Sequence, residues 1–310
     1  MKRRFSVDLG QLAALRVLAD HGTVTAAARV LHLSPSAVSQ QIAALSRSVG
    51  EPLVARHGRR LRLTPQALVL VEHARAFEAQ AERARADLAA FSEGAVSAVA
   101  VGAFATAISS IVAPALRILS KERPGLSASV SEVEAPECFY RLDSGDLDLA
   151  VTVDYRSGPP HGDTRYERVA LLADPLYAVL PFDHPLAGRP HVALSMLAEE
   201  AWVVGSPGHP CVDITLAALV SASITPRTCH QVNDWEAVAS LVAHGAGVAL
   251  VPALALRAGT PTVAVVPVRP TQPRRSIYAA VRNGSSHAPH IAAVIEALLA
   301  AAAACRGPGT

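Results

Sequence analysis

The sequence predicts an α/β chain that opens on a winged helix-turn-helix, and three stretches carry the prediction. Thr23 to Gly50 reads as two short helices with a tight break at Leu31-His32-Leu33. Leu53 to Pro65 reads as two short alternating runs around His57-Gly58. From Ser97 onward, short apolar runs alternate with helical segments, the order of an α/β sheet. A chain of 310 residues is long enough to bury a full core in more than one domain.

Leu9 to His21 is the first helix, with Leu12, Leu15 and Leu18 spaced by three and Gly22 as its stop. Ala26, Ala27 and Ala28 on the next helix are small, so neighbouring axes can approach closely. Ser34-Pro35 starts the third, because serine caps the free N–H groups of a first turn and proline's fixed φ suits the first helical position. Val38, Ile42, Leu45 and Val49 then recur at four, three and four and form one buried stripe, and Gly50 closes the helix. The opposite face carries Ser36, Gln40, Ala43 and Arg47, with Ser39 beside it, and no acid. Such a face can enter a major groove without repelling phosphate. Glutamine can bond adenine through both its donor and its acceptor, and serine reaches either a base edge or a phosphate, so Ser34, Ser36, Ser39, Gln40, Gln41 and Arg47 are candidate DNA contacts.

The same spacing would fit any small helical hairpin; the segment after it decides. Glu51-Pro52 is a turn, and LVARHGRRLRLTP follows as a basic wing. Arg56, Arg59, Arg60 and Arg62 are placed to meet phosphates or an adjacent minor groove, while Leu61 and Leu63 are expected to face the hairpin core. Residues 1–64 hold ten Lys/Arg against three Asp/Glu, a net +7 that leaves −5 for the rest of a chain whose total is +2. The basicity is local, which argues against a protein that coats polyanions uniformly.

Thr64-Pro65 repeats the cap-plus-proline start, and no Gly or Pro follows until Gly94. A helix of about 29 residues would span ~43 Å. Ala67, Leu70, Ala74, Phe77, Ala81, Ala84, Leu88 and Phe91 alternate steps of three and four, the seam of a coiled coil, which predicts a dimer.

From Leu12 to Ala67 the runs GTVTAAARVL, SPSAVSQQI, GEPLVAR and LTPQA resemble the winged helix-turn-helix of the LysR-type transcriptional regulators. Ser46 stands where an acid usually follows the leucine, Val54 where Phe is usual and Ala67 where Gly is usual. The resemblance implies a DNA-binding regulator, not an enzyme, that assembles as a homodimer or dimer of dimers on an interrupted inverted repeat of double-stranded DNA. RNA polymerase is left open as a further partner. It also implies a two-lobed effector domain similar to periplasmic solute-binding proteins. The domains are then 1–64 for DNA binding, 65–94 for the dimerisation helix and 95–310 for the effector domain. Lobe 1 takes about 97–172 plus 274–305 and lobe 2 about 173–273.

The alternation after Ser97 fits that layout. Ala98 to Phe104, Ala107 to Glu122, Leu126 to Val133, Glu137 to Ser144 and Asp148 to Val153 read as strand, helix, strand, helix, strand. Later strands are expected at Leu176 to Leu180, Trp202 to Gly205, Thr228 to Val232, Val248 to Val251 and Ser276 to Arg282. Helices are expected at Val212 to Ser221, Trp235 to His244 and Ala288 to Ala304. Open α/β sheets bind ligands beyond the carboxyl ends of their strands, so the inter-lobe cleft is the expected pocket.

Thr106, where a strand meets a helix start, matches the family's effector-contacting Ser/Thr; taken alone it reads as a plain N-cap. Ser206 follows a lobe 2 strand, Asn233 precedes a helix in which Glu236 completes a capping box, and Thr152 and Asp154 end a lobe 1 strand. Helix starts and hydroxyls converging on one cleft predict a small anionic effector, amino-acid-like or a hydroxy acid, with Asp154 as partner for an amine or hydroxyl.

Cys138, Cys211, Cys229 and Cys305 are widely spaced, form no CxxC pair and read as reduced core or surface thiols, although the family leaves a redox switch through Cys211 and Cys229 open. No metal or cofactor spacing and no GxSxG, HExxH or Walker sequence is present. Ala95 to Leu116 is uncharged, but Gly102, Thr106, Ser109, Ser110 and Pro114 make it a buried strand-loop-helix unit, not a membrane span. Asp8, Gln11, Arg16 and Asp20 interrupt any export signal, so the expected location is cytoplasmic.

Overall fold

The computed structural model describes residues 8–57, 60–90, 97–256 and 262–305. The head comprises α1 (Leu9–His21), α2 (Val24–Val30), α3 (Pro35–Val49) and the ribbon β1 (Val54–His57) and β2 (Arg60–Leu63). Each helix starts on a side-chain cap: Asp8 accepts from Gln11 N, Thr23 from Ala26 N and Ser34, as expected, from Ala37 N. Each such cap contributes about 1 kcal/mol. Gly22 and Gly50 stop α1 and α3 at φ of 73° and 84°, conformations that a Cβ disfavours. Val38, Ile42 and Leu45 of α3 are buried against Leu12, Leu15 and Ala27, and Leu53 joins them at the foot of the ribbon. Ser46, in place of an acid, bonds back to Ile42 O and accepts from Leu53 N, which ties the helix to the entry of the wing.

α4 (Pro65–Ala90) follows, with Thr64 accepting from Ala67 N. Its expected seam divides. Ala67 and Ala74 are buried in the head's core, whereas Phe77 and Leu88 are 54% and 70% exposed. Val71, Ala79 and Ala86 form the stripe that covers this chain, because the same helix must pack on the head first and on lobe 1 afterwards. Phe91 and Gly94 lie outside the described residues.

The body contains β3 (Ser97–Ala103), the short α5 (Ala105–Ala107), a π turn at Ile108–Val112, α6 (Ala113–Glu122), β4 (Leu126–Glu132), α7 (Glu137–Ser144), β5 (Leu149–Val153) and the long β6 (Tyr166–Leu180). A 3-10 turn at Leu194–Leu197, β7 (Ala201–Val204), α8 (Pro210–Ser221), β8 (Arg227–Gln231), α9 (Trp235–Ala243), β9 (Ala249–Pro252), α10 (Ala253–Leu256), β10 (Ala264–Val266), β11 (Arg274–Arg282) and α11 (Pro289–Cys305) complete it. The main sheet runs β10-β6-β11-β5-β3-β4, with β9 on the far half of β6 and β7-β8 as a separate parallel pair. β3 is parallel to β4 and β5, whereas β11 is antiparallel to β5 and β6. On one face of lobe 1 lie α6 and α11, and on the other lies α7 with Cys138, Phe139 and Leu142. Trp202 and Leu219 anchor the lobe 2 core.

The near half of β6 departs from the sequence expectation, which starts a strand only at Leu176. The strand begins earlier because β11 pairs along it from Tyr166 to Pro175. β6 and β11 are the two strands that pass between the lobes, so the cleft opens beside them.

Candidate nucleic-acid interface and effector cleft

On α3, Ser34, Ser36, Ser39, Gln40 and Arg47 are exposed on the side opposite the buried stripe, and Gln41 is half-buried at its edge. The Ser39 hydroxyl donates to Pro35 O, so it reaches outward as an acceptor. Arg62 is exposed on the ribbon opposite Ala55. Arg56 and Arg60 belong to the paired strands, while Arg59 lies outside the described residues. Among the described residues neither Arg47 nor Arg62 makes an ion pair, so both keep their charge for an external anion. Leu61 corrects the expectation: it is 37% exposed, and only Leu63 packs against the head's core, since Leu61 sits further from that core along the ribbon.

The second site is a cavity of about 310 Å³ between the lobes, lined from lobe 1 by Phe104, Thr106, Glu132, Glu134 and Arg275, and from lobe 2 by His209, Cys211 and Asn233 to Trp235. Arg275 on β11 organises it. Its guanidinium is 2% exposed and pairs at 2.8 Å with Asp174, its cross-strand partner on β6, while Asp174 also accepts from Leu254 N. Burial raises the Asp174 pKa, and the Arg275 charge works against that rise. From this anchor Arg275 donates to Thr106 Oγ1 at 2.9 Å, lies 3.7 Å from Cys211 Sγ and stacks 4.9 Å over the Phe104 ring. One buried cation therefore touches both lobes.

The caps around the cavity differ from the expected ones. Phe104 occupies the N-cap position before α5, so the Thr106 hydroxyl is left to accept from Arg275. Asp234, not Asn233, caps α9, because the Asn233 Oδ1 accepts from Ser206 N at 2.7 Å and cross-links the two loops. Ser206 thus supports Asn233 and does not line the cavity. His209 caps α8, its Nδ1 accepting from Cys211 N, with Nε2 3.8 Å from Glu134 of the other lobe. Hydrogen bonding to Cys211, then to Glu134, pushes its pKa up to about 9 against burial, so neutral cap and cation compete for one ring.

Thr152 and Asp154 lie elsewhere. Thr152 is buried on the α7 side of β5, where it bonds Cys138, since alternation along the strand turns it away from the cleft. Asp154 is held by Arg168 at 3.0 Å. The cleft's acids are instead Glu132, Glu134 and Asp234. No local spacing announces Arg275: its partner Asp174 is 101 residues earlier. Cys211 and Cys138 are buried, whereas Cys229 is exposed. No group of metal ligands occurs among the described residues, and no described helix is long and apolar enough to cross a membrane.

Residues 9–68 match the profile of the bacterial regulatory helix-turn-helix protein, lysR family, and residues 92–303 match the LysR substrate binding domain. The chain belongs to the LysR family of transcriptional regulators. LysR regulators join a DNA-binding head to an effector-binding domain and form oligomers. Among relatives, the RuBisCO operon transcriptional regulator of Allochromatium vinosum is 29% identical over 303 residues, covering 96% of this chain and 97% of its own. The hydrogen peroxide-inducible genes activator of Pectobacterium carotovorum is 27% identical over 284 residues, 90% and 91% of the two chains. A full-length cysteine-to-aspartate variant of OxyR from Pseudomonas aeruginosa shares the fold at a TM-score of 0.62, with 21% identity and 95% of each chain covered.

Proposed function

We propose that this LysR regulator works as a homodimer, or a dimer of dimers, in the cytoplasm, where it binds an interrupted inverted repeat in double-stranded DNA. Its switch is a small amino-acid-like effector in the inter-lobe cleft, and RNA polymerase is the partner its output acts upon. DNA contacts are assigned to Ser34, Ser36, Ser39, Gln40, Gln41 and Arg47 on the head and to Arg56, Arg59, Arg60 and Arg62 on the wing. The observation that carries the effector class is the two-ended polarity of the cavity. Thr106 and Arg275 offer donors to an acid group, and Asn233 stands at the opposite wall. Glu132, Glu134 and Asp234 offer acceptors to an ammonium or hydroxyl. A ligand bearing only negative charge would meet three carboxylates, so the zwitterion replaces the plain anion.

Thermal shift with amino acids, hydroxy acids, simple carboxylates and amines tests this on the wild type and on Thr106→Val. Amino acids, more than hydroxy acids, should stabilise the wild type alone, and the variant should keep its DNA affinity while losing the effector response. Hits made only of amines, or stabilising both proteins equally, overturn the assignment.

One observation favours a second reading. Cys211 Sγ lines the same cavity beside Arg275, and one relative is named for induction by hydrogen peroxide. In that reading the thiolate attacks a peroxide oxygen, the O–O bond breaks, and the second oxygen leaves with a proton as water while the sulfur is oxidised to sulfenic acid. Mass spectrometry after peroxide and dimedone should then mark Cys211; labelling confined to exposed Cys229 rejects it.

A further inference from the structure

The head does not hang free of the body. α1, α2 and α4 meet lobe 1 at a polar junction around a cavity of about 240 Å³, separate from the effector cleft. Asp143 on α7 takes His21 at 2.9 Å and the Tyr166 hydroxyl at 2.7 Å, with Arg16 and Arg165 each 3.9 Å away. Asp20 pairs with Arg16, Arg75 and Arg165. Both carboxylates are almost fully buried, at 4% and 2% exposure. One turn earlier on α7, Tyr140 stacks 4.5 Å from the His21 ring and under the Arg29 guanidinium, and Glu137 pairs with Arg29 at 2.8 Å.

The N-terminus of α7, where Glu137 meets Arg29, also reaches the effector cleft. Glu134, which lines the cleft and faces His209 of lobe 2, accepts from Cys138 N in the first turn of α7 through its carbonyl. Two residues, Ala135 and Pro136, separate that cleft wall from the helix. We propose that α7 couples the effector cleft to the DNA-reading head of its own chain, with Glu134 as the cleft end and the Glu137, Tyr140 and Asp143 face as the head end. This rests on the reading of the cleft as the effector site. It adds a direct route beside the long helix α4. Any movement of lobe 2 that alters the His209 to Glu134 contact pulls on α7 at its N-terminus. α7 is packed on β5 through Cys138 and Leu142, so it shifts as a unit, and the buried charges at its far end turn with it.

Spatial continuity is not coupling, so the test measures coupling without any effector. Hydrogen exchange of the full-length wild type is compared with Glu134→Gln, Glu137→Arg, Arg29→Glu and the swap Arg29→Glu with Glu137→Arg. Arg29 and Glu137 are surface residues, 60% and 45% exposed, so their substitution should leave the fold intact. Each single charge reversal should speed exchange of the α2 amides several-fold, and the swap should restore it. Glu134→Gln touches no residue of the head, yet it should also speed α2 exchange, and this effect should vanish in the Glu137→Arg background. Unchanged α2 exchange in Glu134→Gln, or effects of the two lobe 1 variants that simply multiply, overturns the proposal. Failure to find an amino-acid ligand leaves this outcome untouched, so the two readings fall separately.

Discussion

Gln40 stands exposed one turn beyond Ser36 on a helix whose other side is sealed by Val38, Ile42 and Leu45, so its amide faces whatever groove α3 enters. A bidentate contact to adenine predicts that Gln40→Ala costs about 1–3 kcal/mol at one base position, seen as lost information there in a binding-site selection. An unchanged motif denies Gln40 the reading role. At the same scale, Asp174 and Arg275 are a desolvated pair with one hydrogen-bonded network. Replacing one member leaves the other charged and buried, so Asp174→Asn should cost about 3–5 kcal/mol in urea unfolding. A loss near zero means that water reaches the cleft floor and that Arg275 is not held by its partner.

At the level of elements, α4 has two separate apolar stripes. One binds its own head and lobe 1 through Ala67, Val71, Ala74, Ala79 and Ala86, and the other leaves Phe77 and Leu88 uncovered. The uncovered half of the seam is the surface we propose for a second copy. Phe77→Glu would place a charge where two apolar faces meet, and it should weaken both self-association and DNA binding. Sedimentation equilibrium checks this directly; an assembly of unchanged size would remove Phe77 from the interface. The wing follows the same logic of distance from a core. Leu63 is covered and Leu61 is not, although alternation puts both on one side of the ribbon.

For the whole molecule, the junction of head and body makes stability depend on pH. Burial pushes the Asp143 pKa up, but hydrogen bonds from His21 and Tyr166 and the charges of Arg16 and Arg165 outweigh it and hold the carboxyl below its ordinary value. A depressed carboxyl stabilises the fold fully above its unfolded pKa of about 3.9, and that contribution is lost as pH falls through the lower folded value. Unfolding free energy should therefore decline on acidification from about pH 4 downward, and less steeply in Asp143→Asn. Identical slopes in the two proteins would show that Asp143 is not charged in the native junction.

Local signals made much of the fold legible. Caps at Asp8, Thr23 and Ser34 and stops at Gly22 and Gly50 depend on neighbours within four residues, so the bounds of α1 and α3 follow from the chain itself. The Val38, Ile42 and Leu45 stripe likewise determines which face of α3 is buried and which is left exposed. The cleft is different in kind. Thr106 and Asn233 could be named from their position at strand ends, but Asp174 and Arg275 become partners only when β6 and β11 are aligned across the two lobes. Thr152 fails as a cleft residue because the register of β5 faces it toward α7, and Ser206 because Asn233 takes its N–H. The sequence by itself determined the elements, the polarity of the reading face and the family, since each rests on short-range periodicity and capping. Only the tertiary structure decided the charge of the cleft and the docking of head on body, because both arise from side chains brought together from distant segments, whose energies depend on burial that no local spacing encodes.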